Sequence, residues 1–472
     1  MDQLSTPRRK LPTMHALISP APTIHVADPI RHILLSNFYV LFFTFLMNRA
    51  FTFAPACVLL FVVSDMRAAT NSAERVGEIQ KALQAEKIDG WLFYDFRGSD
   101  VIALRVLKLD QHAVGTRRWF YYVPATGEPL KLVHRIEPAK LDALPGKRQE
   151  YSSWKEQHEL LRVALTGAGK KPRIAMQYSP MNDVPYMSKV DAGTIELIRS
   201  FGVDVVTSAE LVQQFEAVWS PEQLQTHIEA SDKMHRIFFD AFGEIAKRVR
   251  ANEPVTEYDI EQFIIRRWHE EGMGGEHDDA IVSVNANTAN PHYTPTKENA
   301  LPIKQGDFVL FDLASKLKKP GAVFTDQTWT GYVGETVPEE YSKIFDIVRD
   351  ARDAAVEFVR KNVRAGKSIR GADVDDVSRS VITKAGYGQY FTHRTGHSIG
   401  EEVHGNGVNI DNFETRDSRK ITPGVCFSIE PGIYLPGKFG VRSEIDVYVR
   451  HKDIEVTGQP IQTEIVPILK AQ

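Results

Sequence analysis

The 472-residue chain is poor in cysteine, with only Cys57 and Cys426. Two cysteines cannot build the disulfide framework of a small secreted domain, and they are too few for a cysteine-rich zinc site. The chain also lacks a strong excess of one charge, because its formal net charge at pH 7 is −4. That balance does not provide the broad basic surface that nucleic-acid binding needs. We therefore expect no disulfide scaffold and no nucleic-acid partner.

Long hydrophobic runs are also missing. The two longest apolar stretches, residues 33–47 and 51–63, are separated by Asn48 and Arg49. Each is shorter than the roughly 20 residues that a membrane-spanning helix needs. A membrane tether or an export signal within residues 33–63 is one interpretation, and the remainder of the chain is otherwise expected in the cytoplasm.

Two other interpretations of this N-terminal extension, residues 1–70, remain open. A signal peptide could begin at Met47, although Asp65 and Arg67 stand where small uncharged residues should precede the cleavage site. Alternatively, translation starts at Met66, and the preceding residues have no function. Membrane contact is expected only if the extension is genuine.

An α/β domain is predicted for residues 71–217. Apolar residues recur at helical spacing within residues 76–83, and the apolar run 91–94 is typical of a buried strand. Residues 118–123 and 130–134 flank a turn rich in proline and glycine, which indicates a hairpin. Helical and strand patterns then continue to the end of this domain.

A second domain is predicted for residues 218–472. It begins with Ser220-Pro221-Glu222-Gln223, which combines a capping serine, a proline suited to the first helical position and a glutamine that completes a capping box. One or two helices follow, another begins near Thr256, and residues 339–361 form a further helical block. The chain is long enough for two or three domains.

Five potential metal ligands occur late in the chain. Four are carboxylates and one is an imidazole, a set that suits two divalent ions better than one structural zinc, which favours thiolate and imidazole ligands. Two ions about 3.5–4 Å apart can share a hydroxide and direct it at an amide. The five residues are Asp312, Asp326, His397, Glu430 and Glu444.

The local patterns around the carboxylates place them beside a cleft. Asp312 follows the apolar run 308–311 and is expected at the end of that strand, where burial is costly unless the acid is paired or metal-bound. Strand alternation puts Arg442, Glu444 and Asp446 on one face of a single strand, opposite a mostly apolar set. That polar face is expected to line the cleft.

Three further histidines accompany these ligands. His393 and His397 are four apart, but Thr395-Gly396 between them favours a strand or turn over a helix, so only one of the two needs to bind metal. His404 adjoins a glycine-rich loop that would let the backbone approach a ligand. His292 follows a proline in a polar loop and is unremarkable by itself.

Taken together, these segments resemble the M24 family of metallopeptidases, which have the pita-bread fold and include prolidase, aminopeptidase P, methionine aminopeptidase and creatinase. The resemblance covers residues 220–472 and, more weakly, residues 72–217. It rests on three motifs in family-like order downstream of the two aspartates: His393-x-x-Gly396-His397-x-x-Gly400 with His404, Glu430-Pro431-Gly432, and Gly440-Val441-Arg442-x-Glu444.

The resemblance implies the fold and the roles of these residues. The fold would be mixed α/β (α+β), with a creatinase-like N-terminal α/β domain followed by a mostly antiparallel, curved sheet flanked by helices. The five ligands would bind two metal ions, and this intact set argues against creatinase. Glu430, His292 and His404 would be catalytic, whereas substrate binding would involve His292, His393, His404 and Arg442.

Two features depart from the family pattern. Thirteen residues separate Asp312 from Asp326, which is more than the family usually has, and Val323 stands where a tyrosine is usual. We expect a longer hairpin turn rather than a lost ligand, because Thr328 still follows Asp326 in the family's pattern. The missing hydroxyl puts one hydrogen bond near the metals in doubt.

The expected activity is metal-dependent hydrolysis of an Xaa-Pro bond in a proline-containing dipeptide or short peptide. Arg442 and His404 are the candidates for reading the substrate carboxylate, and the N-terminal domain is the candidate for excluding longer peptides. Manganese is the metal that the resemblance favours, with Co²⁺ or Zn²⁺ as alternatives, and a homodimer is expected.

Three rival functions remain open. Aminopeptidase P uses the same ligands to remove the residue before proline from longer peptides. Methionine aminopeptidase fits less well, since it usually lacks a large N-terminal domain. A metal-free peptide-binding module on the same scaffold should have lost ligands, and all five are present.

Overall fold

The structure is a computed structural model that describes residues 72–113, 115–167, 171–275 and 280–470. The predictions for residues 1–70, including both apolar runs, lie outside the described residues. Within the described part of the chain, no helix has the length and hydrophobicity required to cross a membrane.

The helices begin where the sequence places capping residues. Ser220 and Gln223 form the predicted capping box, and Thr256 forms another with Asp259. The first of these helices runs unbroken for 30 residues. In the described residues the helices are α1 (72–85), α2 (Val101–Val106), α3 (Trp154–Thr166), α4 (Ala192–Ser200), α5 (Ala209–Glu216), α6 (Pro221–Arg250), α7 (Glu257–Glu270), α8 (Glu339–Arg364) and α9 (Gly371–Lys384).

Residues 72–217 contain a six-stranded mixed sheet in the order β4-β3-β2-β1-β5-β6. The predicted hairpin is confirmed, because the second and third strands pair antiparallel. The predicted buried strand is confirmed as well, since every residue of the first strand is buried. The strands are β1 (Gly90–Asp95), β2 (Trp119–Pro124), β3 (Leu130–His134), β4 (Lys147–Tyr151), β5 (Arg173–Met176) and β6 (Asp204–Thr207).

The remaining strands form smaller sheets after α6. One has the order β17-β10-β9-β7, with β8 also paired to β9; a second has the order β11-β12-β15-β16; and β13 pairs with β14. The strands are β7 (Met273–Gly274), β8 (Ile281–Val284), β9 (Phe308–Leu317), β10 (Thr325–Tyr332), β11 (Ser398–Ile399), β12 (Cys426–Ile429), β13 (Gly432–Leu435), β14 (Phe439–Arg442), β15 (Ile445–Val449), β16 (Ile454–Val456) and β17 (Val466–Pro467).

Helices cover these sheets and form separate apolar cores. Helices α6 and α7 pack on β8, β9 and β10, where Phe242 and Phe311 stack with ring centroids 4.7 Å apart. Helix α8 contributes Val348 and Ala351 to the core beside β13 and β14. Helix α9 was not predicted from the sequence. It packs against α8 and contributes Val374 and Ile382 to two of the apolar cores. The mixed α/β fold is therefore confirmed.

Two strand predictions near the ligands are wrong in detail. Asp312 lies in the middle of β9, which continues to Leu317, because polar and apolar residues alternate beyond the apolar run. The segment with Arg442 and Glu444 is not one strand: β14 ends at Arg442 and β15 begins at Ile445. The break lets the two segments join different strand partners.

Candidate metal centre

All of the site residues predicted from the sequence border one cavity of about 560 Å³. That volume is within the range of small-molecule sites. The cavity is lined by Pro291 and Arg394 in addition to the predicted residues, which are His292, Asp312, Asp326, His393, His397, His404, Glu430, Arg442 and Glu444. Residues separated by more than 150 positions in the sequence thus meet in one place.

A β-hairpin positions the two aspartates. In the antiparallel register of β9 and β10, Asp312 faces Thr328 and Asp326 faces Ala314. The aspartates are therefore diagonal neighbours on the same face of the sheet. This confirms the prediction that the longer spacing is absorbed by the hairpin, and metal binding by both aspartates stays a prediction.

His397 and Glu430 are brought together by backbone pairing. The Glu430 N–H donates to the Thr395 carbonyl at 2.7 Å, and His397 Nε2 lies 3.4 Å from Glu430 Oε1. Gly396 makes this close approach possible, because an added Cβ would lie 1.9 Å from the carbonyl oxygen of Ser428. The family-like glycine thus has a steric reason at this position.

Glu444 joins the group through Thr328. The Thr328 hydroxyl donates to Glu444 Oε2 at 2.7 Å, and the two residues pair in an isolated antiparallel bridge. Ligand atoms of Asp326, His397 and Glu444 all lie within 4.8 Å of one another. Because Asp326 is also 3.5 Å from His397, the second aspartate, the histidine and the last glutamate form one compact donor group.

The donor set fits divalent cations. Burial and the neighbouring carboxylates raise the pKa of Asp326, of Glu444 and of Glu430. Asp326 Oδ1 is buried and has no hydrogen-bond donor among the described residues. Several mutually repelling buried carboxylates beside an imidazole are stabilised by a bound cation, and carboxylate oxygens with one imidazole suit hard or borderline divalent ions.

The comparisons with known proteins agree with this geometry. The model of metallopeptidase family M24 matches residues 226–451. An uncharacterized peptidase of Staphylococcus saprophyticus is 30% identical over 273 residues, an alignment that covers 56% of this chain and 69% of the relative. The chain belongs to metallopeptidase family M24.

Two further proteins similar to this M24 chain have functional names. The Xaa-Pro dipeptidase of Lactobacillus helveticus is 33% identical over 245 residues, which is 52% of this chain and 60% of the relative. The alignment therefore spans less than two thirds of that enzyme. The X-prolyl aminopeptidase of Caenorhabditis elegans, described as having a di-nuclear active site, superposes with a TM-score of 0.56 at 18% identity over 84% of this chain and 63% of its own.

That structural likeness supports the pita-bread fold of the M24 chain. The predicted fold class is thereby confirmed. The exact limits of the two predicted domains, residues 71–217 and 218–472, stay a prediction.

One expected substrate contact is already engaged within the protein. The Arg442 guanidinium forms an ion pair with Asp312, and it also donates to the Thr328 hydroxyl at 3.0 Å and to the Tyr434 hydroxyl at 3.1 Å. Only 3% of its side chain is exposed. These contacts hold Asp312 and the strand ends together, and they leave few donors for a substrate carboxylate.

Arg394 lines the cavity but was not predicted as a site residue, although it lies inside the first histidine motif. Its Nη1 donates to the Tyr186 hydroxyl at 2.5 Å, and the guanidinium pairs with no carboxylate among the described residues. A cation at the wall of the cavity with donors to spare is suited to an anionic group. Its position directly after His393 was the available signal.

Two histidines of the cavity, His393 and His404, are held as neutral groups. Burial, and then the charge of Arg442, lower the pKa of His393 to about 3, and its Nε2 lies 2.7 Å from the Tyr434 hydroxyl. The imidazole of His397, and then burial, lower the pKa of His404 to about 3. The rings of His397 and His404 lie 4.3 Å apart. His292 lies at the cavity wall on an exposed turn.

Asp446 does not line the cavity, contrary to the expectation of one polar strand face. Its Oδ2 accepts from the Asp326 N–H at 3.0 Å and from the Thr325 hydroxyl at 2.9 Å. His227 lies 3.8 Å from the same oxygen. Because β15 is a separate strand, its Asp446 does not follow Glu444 to the cavity. It instead supports Asp326 through the backbone N–H of that residue.

Proposed function

We propose that this chain hydrolyses the Xaa-Pro bond of dipeptides with the help of two divalent metal ions. The observation that carries the proposal is the convergence of the five ligands, three histidines and Arg394 on one cavity of about 560 Å³. The similarity to the Xaa-Pro dipeptidase of Lactobacillus helveticus and to the di-nuclear aminopeptidase of Caenorhabditis elegans supports the reaction class.

The ions would be held by Asp312, Asp326, His397, Glu430 and Glu444. When bound, such a pair supplies Lewis acidity and lowers the pKa of water toward 7. We infer two sites rather than one, because four carboxylates carry more negative charge than a single divalent ion offsets. Manganese is the proposed metal, and Co²⁺ or Zn²⁺ suits the same donors.

Glu430 is the proposed proton carrier. Burial raises the pKa of Glu430, which brings a carboxyl closer to the working pH of a general base and acid. The Ser428 hydroxyl donates to Glu430 Oε1 at 3.1 Å and directs the carboxylate. Glu430 would take a proton from water and later pass it to the leaving nitrogen of proline.

Histidines of the cavity would act on the substrate by hydrogen bonding. A pKa of about 3 for His404 means that the ring is uncharged at neutral pH. His404 or His292 would donate to the carbonyl oxygen as negative charge develops on it. His393, bound to Tyr434, would fix the wall on the other side.

The carboxylate of the dipeptide would bind Arg394 rather than Arg442. Arg394 has guanidinium donors without a carboxylate partner among the described residues, whereas Arg442 is tied to Asp312. A planar guanidinium can bind a carboxylate through two parallel hydrogen bonds. This contact would favour dipeptides, whose carboxylate follows directly after the proline ring.

Proline substrates explain why direct recognition of the end groups matters. The nitrogen of the Xaa-Pro bond belongs to proline and carries no N–H, so a protease that binds its substrate as a β-strand loses a hydrogen bond there. A cavity that contacts the amine, carbonyl and carboxylate does not depend on that bond. It should accept the trans isomer, since the cis isomer redirects the carbonyl.

Removal of an N-terminal residue from longer peptides is the second candidate function. It is supported by the structural similarity to the X-prolyl aminopeptidase of Caenorhabditis elegans. The test uses stripped protein reloaded with Mn²⁺, Co²⁺ or Zn²⁺ and compares Ala-Pro with Ala-Pro-Ala. Faster cleavage of Ala-Pro supports the dipeptidase, and faster cleavage of Ala-Pro-Ala supports the aminopeptidase. No cleavage of either with any metal refutes both.

Two further features belong to the proposal. The division into a creatinase-like domain of residues 71–217 and a catalytic domain of residues 218–472 is supported by the change of sheet at α6. A homodimer is proposed on the family resemblance and is tested by light scattering.

A further inference from the structure

A second cavity of about 640 Å³ lies behind the segment that carries His404. Its walls come from α2 and α5 of the N-terminal part and from residues 399–406 of the catalytic part. Arg105 and Glu216 stand on one wall, and Glu402 and Asn406 on the other. The two cavities therefore share residues 400–407 as a partition, which we call the His404 segment.

The two sides of the His404 segment face different surroundings. Val403 and His404 line the metal cavity, whereas Glu401, Glu402 and Asn406 line the second cavity. A displacement of the outer side would therefore move His404 relative to the metal ligands.

The ends of the His404 segment are held by the catalytic part. The Phe324 N–H donates to the Gly400 carbonyl at 2.9 Å, and the Gly405 N–H donates to the Ser398 carbonyl at 2.8 Å. The Gly407 N–H donates to the Ser398 hydroxyl at 3.0 Å. Gly407 is confined there, because an added Cβ would lie 2.5 Å from Ser398 Oγ. Gly405 and Gly407 thus allow close packing of the backbone on Ser398, rather than the approach of the backbone to a ligand.

The outer side is held by both parts. In the catalytic part, Lys316 Nζ donates to the Glu401 carbonyl and Gln223 Nε2 donates to Glu401 Oε1 at 3.2 Å, whereas the N-terminal part holds Glu402 and Asn406. Arg105 binds Glu402 through two hydrogen bonds, from Nη1 to Oε2 at 3.2 Å and from Nη2 to Oε1 at 2.7 Å. Glu216 accepts from the Asn406 amide at 2.6 Å. Glu216 Oε2 is also 3.8 Å from Arg105, so the two anchors form one cluster.

The geometry of these contacts suits positioning better than stabilisation. The Glu402 side chain is 44% exposed, and an ion pair with that exposure contributes little to the free energy of unfolding. The bidentate hydrogen bonding from Arg105 nevertheless restrains both the direction and the distance of the Glu402 carboxylate. Glu216 is only 9% exposed, so its bond to Asn406 is shielded from water.

We propose that Arg105 and Glu216 are positioning residues that hold the His404 segment, and through it the imidazole of His404, at the substrate. Neither residue lines the metal cavity, so each acts through another group. The inference rests on the proposed function for its kinetic consequence, but the restraint on the segment stands apart from the reaction. The N-terminal part thereby takes part in turnover.

The test compares Arg105→Met, Glu402→Gln, their double variant and Glu216→Leu in the full chain. Each single change should lower kcat/KM for Ala-Pro about three- to tenfold, and the double variant should lose no more than Arg105→Met alone, because both changes remove the contact between Arg105 and Glu402. Metal content should stay unchanged in all four.

Hydrogen–deuterium exchange of residues 400–407 supplies a readout independent of catalysis. Exchange should rise in all three single variants. Arg148→Met is the matched control, since Arg148 also pairs with two acids on the N-terminal part, at Asp142 and Glu150, but away from the segment. It should change neither exchange at residues 400–407 nor kcat/KM.

The outcomes separate the two proposals. Unchanged exchange in the single variants overturns the positioning role, whatever the activity does. Raised exchange with kcat/KM unchanged also overturns it, because the segment then moves without affecting His404. If the unaltered protein cleaves no Xaa-Pro peptide, the proposed function fails, and the exchange measurements still decide whether Arg105 and Glu402 restrain the segment.

Discussion

The Thr328 hydroxyl lies 2.7 Å from Glu444 Oε2 and also accepts a hydrogen bond from Arg442 Nε at 3.0 Å. One threonine thus connects the hairpin that carries both aspartates to the segment that carries the last glutamate. Residues next to metal ligands commonly orient them in this way.

Replacement of Thr328 by valine should weaken metal binding while the fold persists. Valine keeps the shape but removes the donor to Glu444 and the acceptor for Arg442. We expect a 10- to 100-fold loss of metal affinity, the usual order for such supporting groups. Titration of stripped protein with Mn²⁺ measures the effect.

Thr330→Val is the matched control for this change. Thr330 lies two residues along the same strand, is buried and bonds to Gln462 instead of a metal ligand. It should lower the melting temperature without altering metal affinity. Equal metal affinity in the Thr328 variant and the unaltered protein would contradict the supporting role of Thr328.

Glu430→Gln should nearly abolish turnover. The amide cannot carry the proton, and a general acid–base group typically contributes about 10²–10⁴ in rate. Circular dichroism should show an unchanged fold. Exposed Glu339→Gln, in the first turn of α8, removes the same charge far from the cavity and should leave kcat unchanged. Retained turnover in the Glu430 variant would exclude this residue as the proton carrier.

Arg394→Met should reveal which group reads the carboxylate. Loss of a charge-assisted contact costs roughly 1.5–3 kcal/mol, so KM for Ala-Pro should rise about 10- to 100-fold. The difference should largely vanish with the neutral substrate Ala-Pro-amide. An equal loss on both substrates would place Arg394 elsewhere in the mechanism and return the role to His404 or Arg442.

Metal removal should change the order of stability among ligand variants. Ionised Asp326 is destabilised by burial and by Asp312, so without metal Asp326→Asn should melt at a higher temperature than the unaltered protein. With metal at 100 times its Kd, the unaltered protein should gain about 2.7 kcal/mol, and the variant less. Calorimetry with and without a chelator measures both, and an unchanged order would argue against a metal at Asp326.

Asp100→Asn should change how stability depends on pH. Asp100 is fully buried at the start of α2, and burial raises its pKa from 3.8 to about 8. The folded protein then binds the proton more tightly than the unfolded chain does, so stability falls as the pH rises from about 4 to about 8. Asparagine keeps the bond from the Ala103 N–H and removes this loss.

At pH 9 the Asp100 variant should be more stable by on the order of 1–3 kcal/mol, and at pH 4 it should gain nothing. Urea unfolding at both pH values measures the difference. Asp110→Asn, in the exposed turn after α2, is the control and should leave the pH profile unchanged. A gain for Asp100→Asn that is equal at both pH values would show that the proton is not the cause.

Local sequence rules predicted the elements that depend on nearby residues. The capping box at Ser220, the helix that begins near Thr256, the 130–134 strand and the buried first strand are each indicated by a pattern of residues within a few positions. Helix α9 escaped because its N-cap is Arg370, which carries no usual capping signal. The end of β9 was misplaced because one acid within an alternating pattern resembles a strand terminus.

The amino-acid sequence by itself determined the family and the hairpin that absorbs the long spacing, and it predicts the five ligands, because each is encoded in a short motif. Tertiary structure alone decided that Arg442 forms an ion pair with Asp312, that Arg394 lines the cavity and that Asp446 does not. Arg105 and Glu402 belong to the same group, since 297 positions separate them in the chain. Such pairings arise from how sheets and helices pack, and no local pattern encodes the distance between side chains brought together in that way.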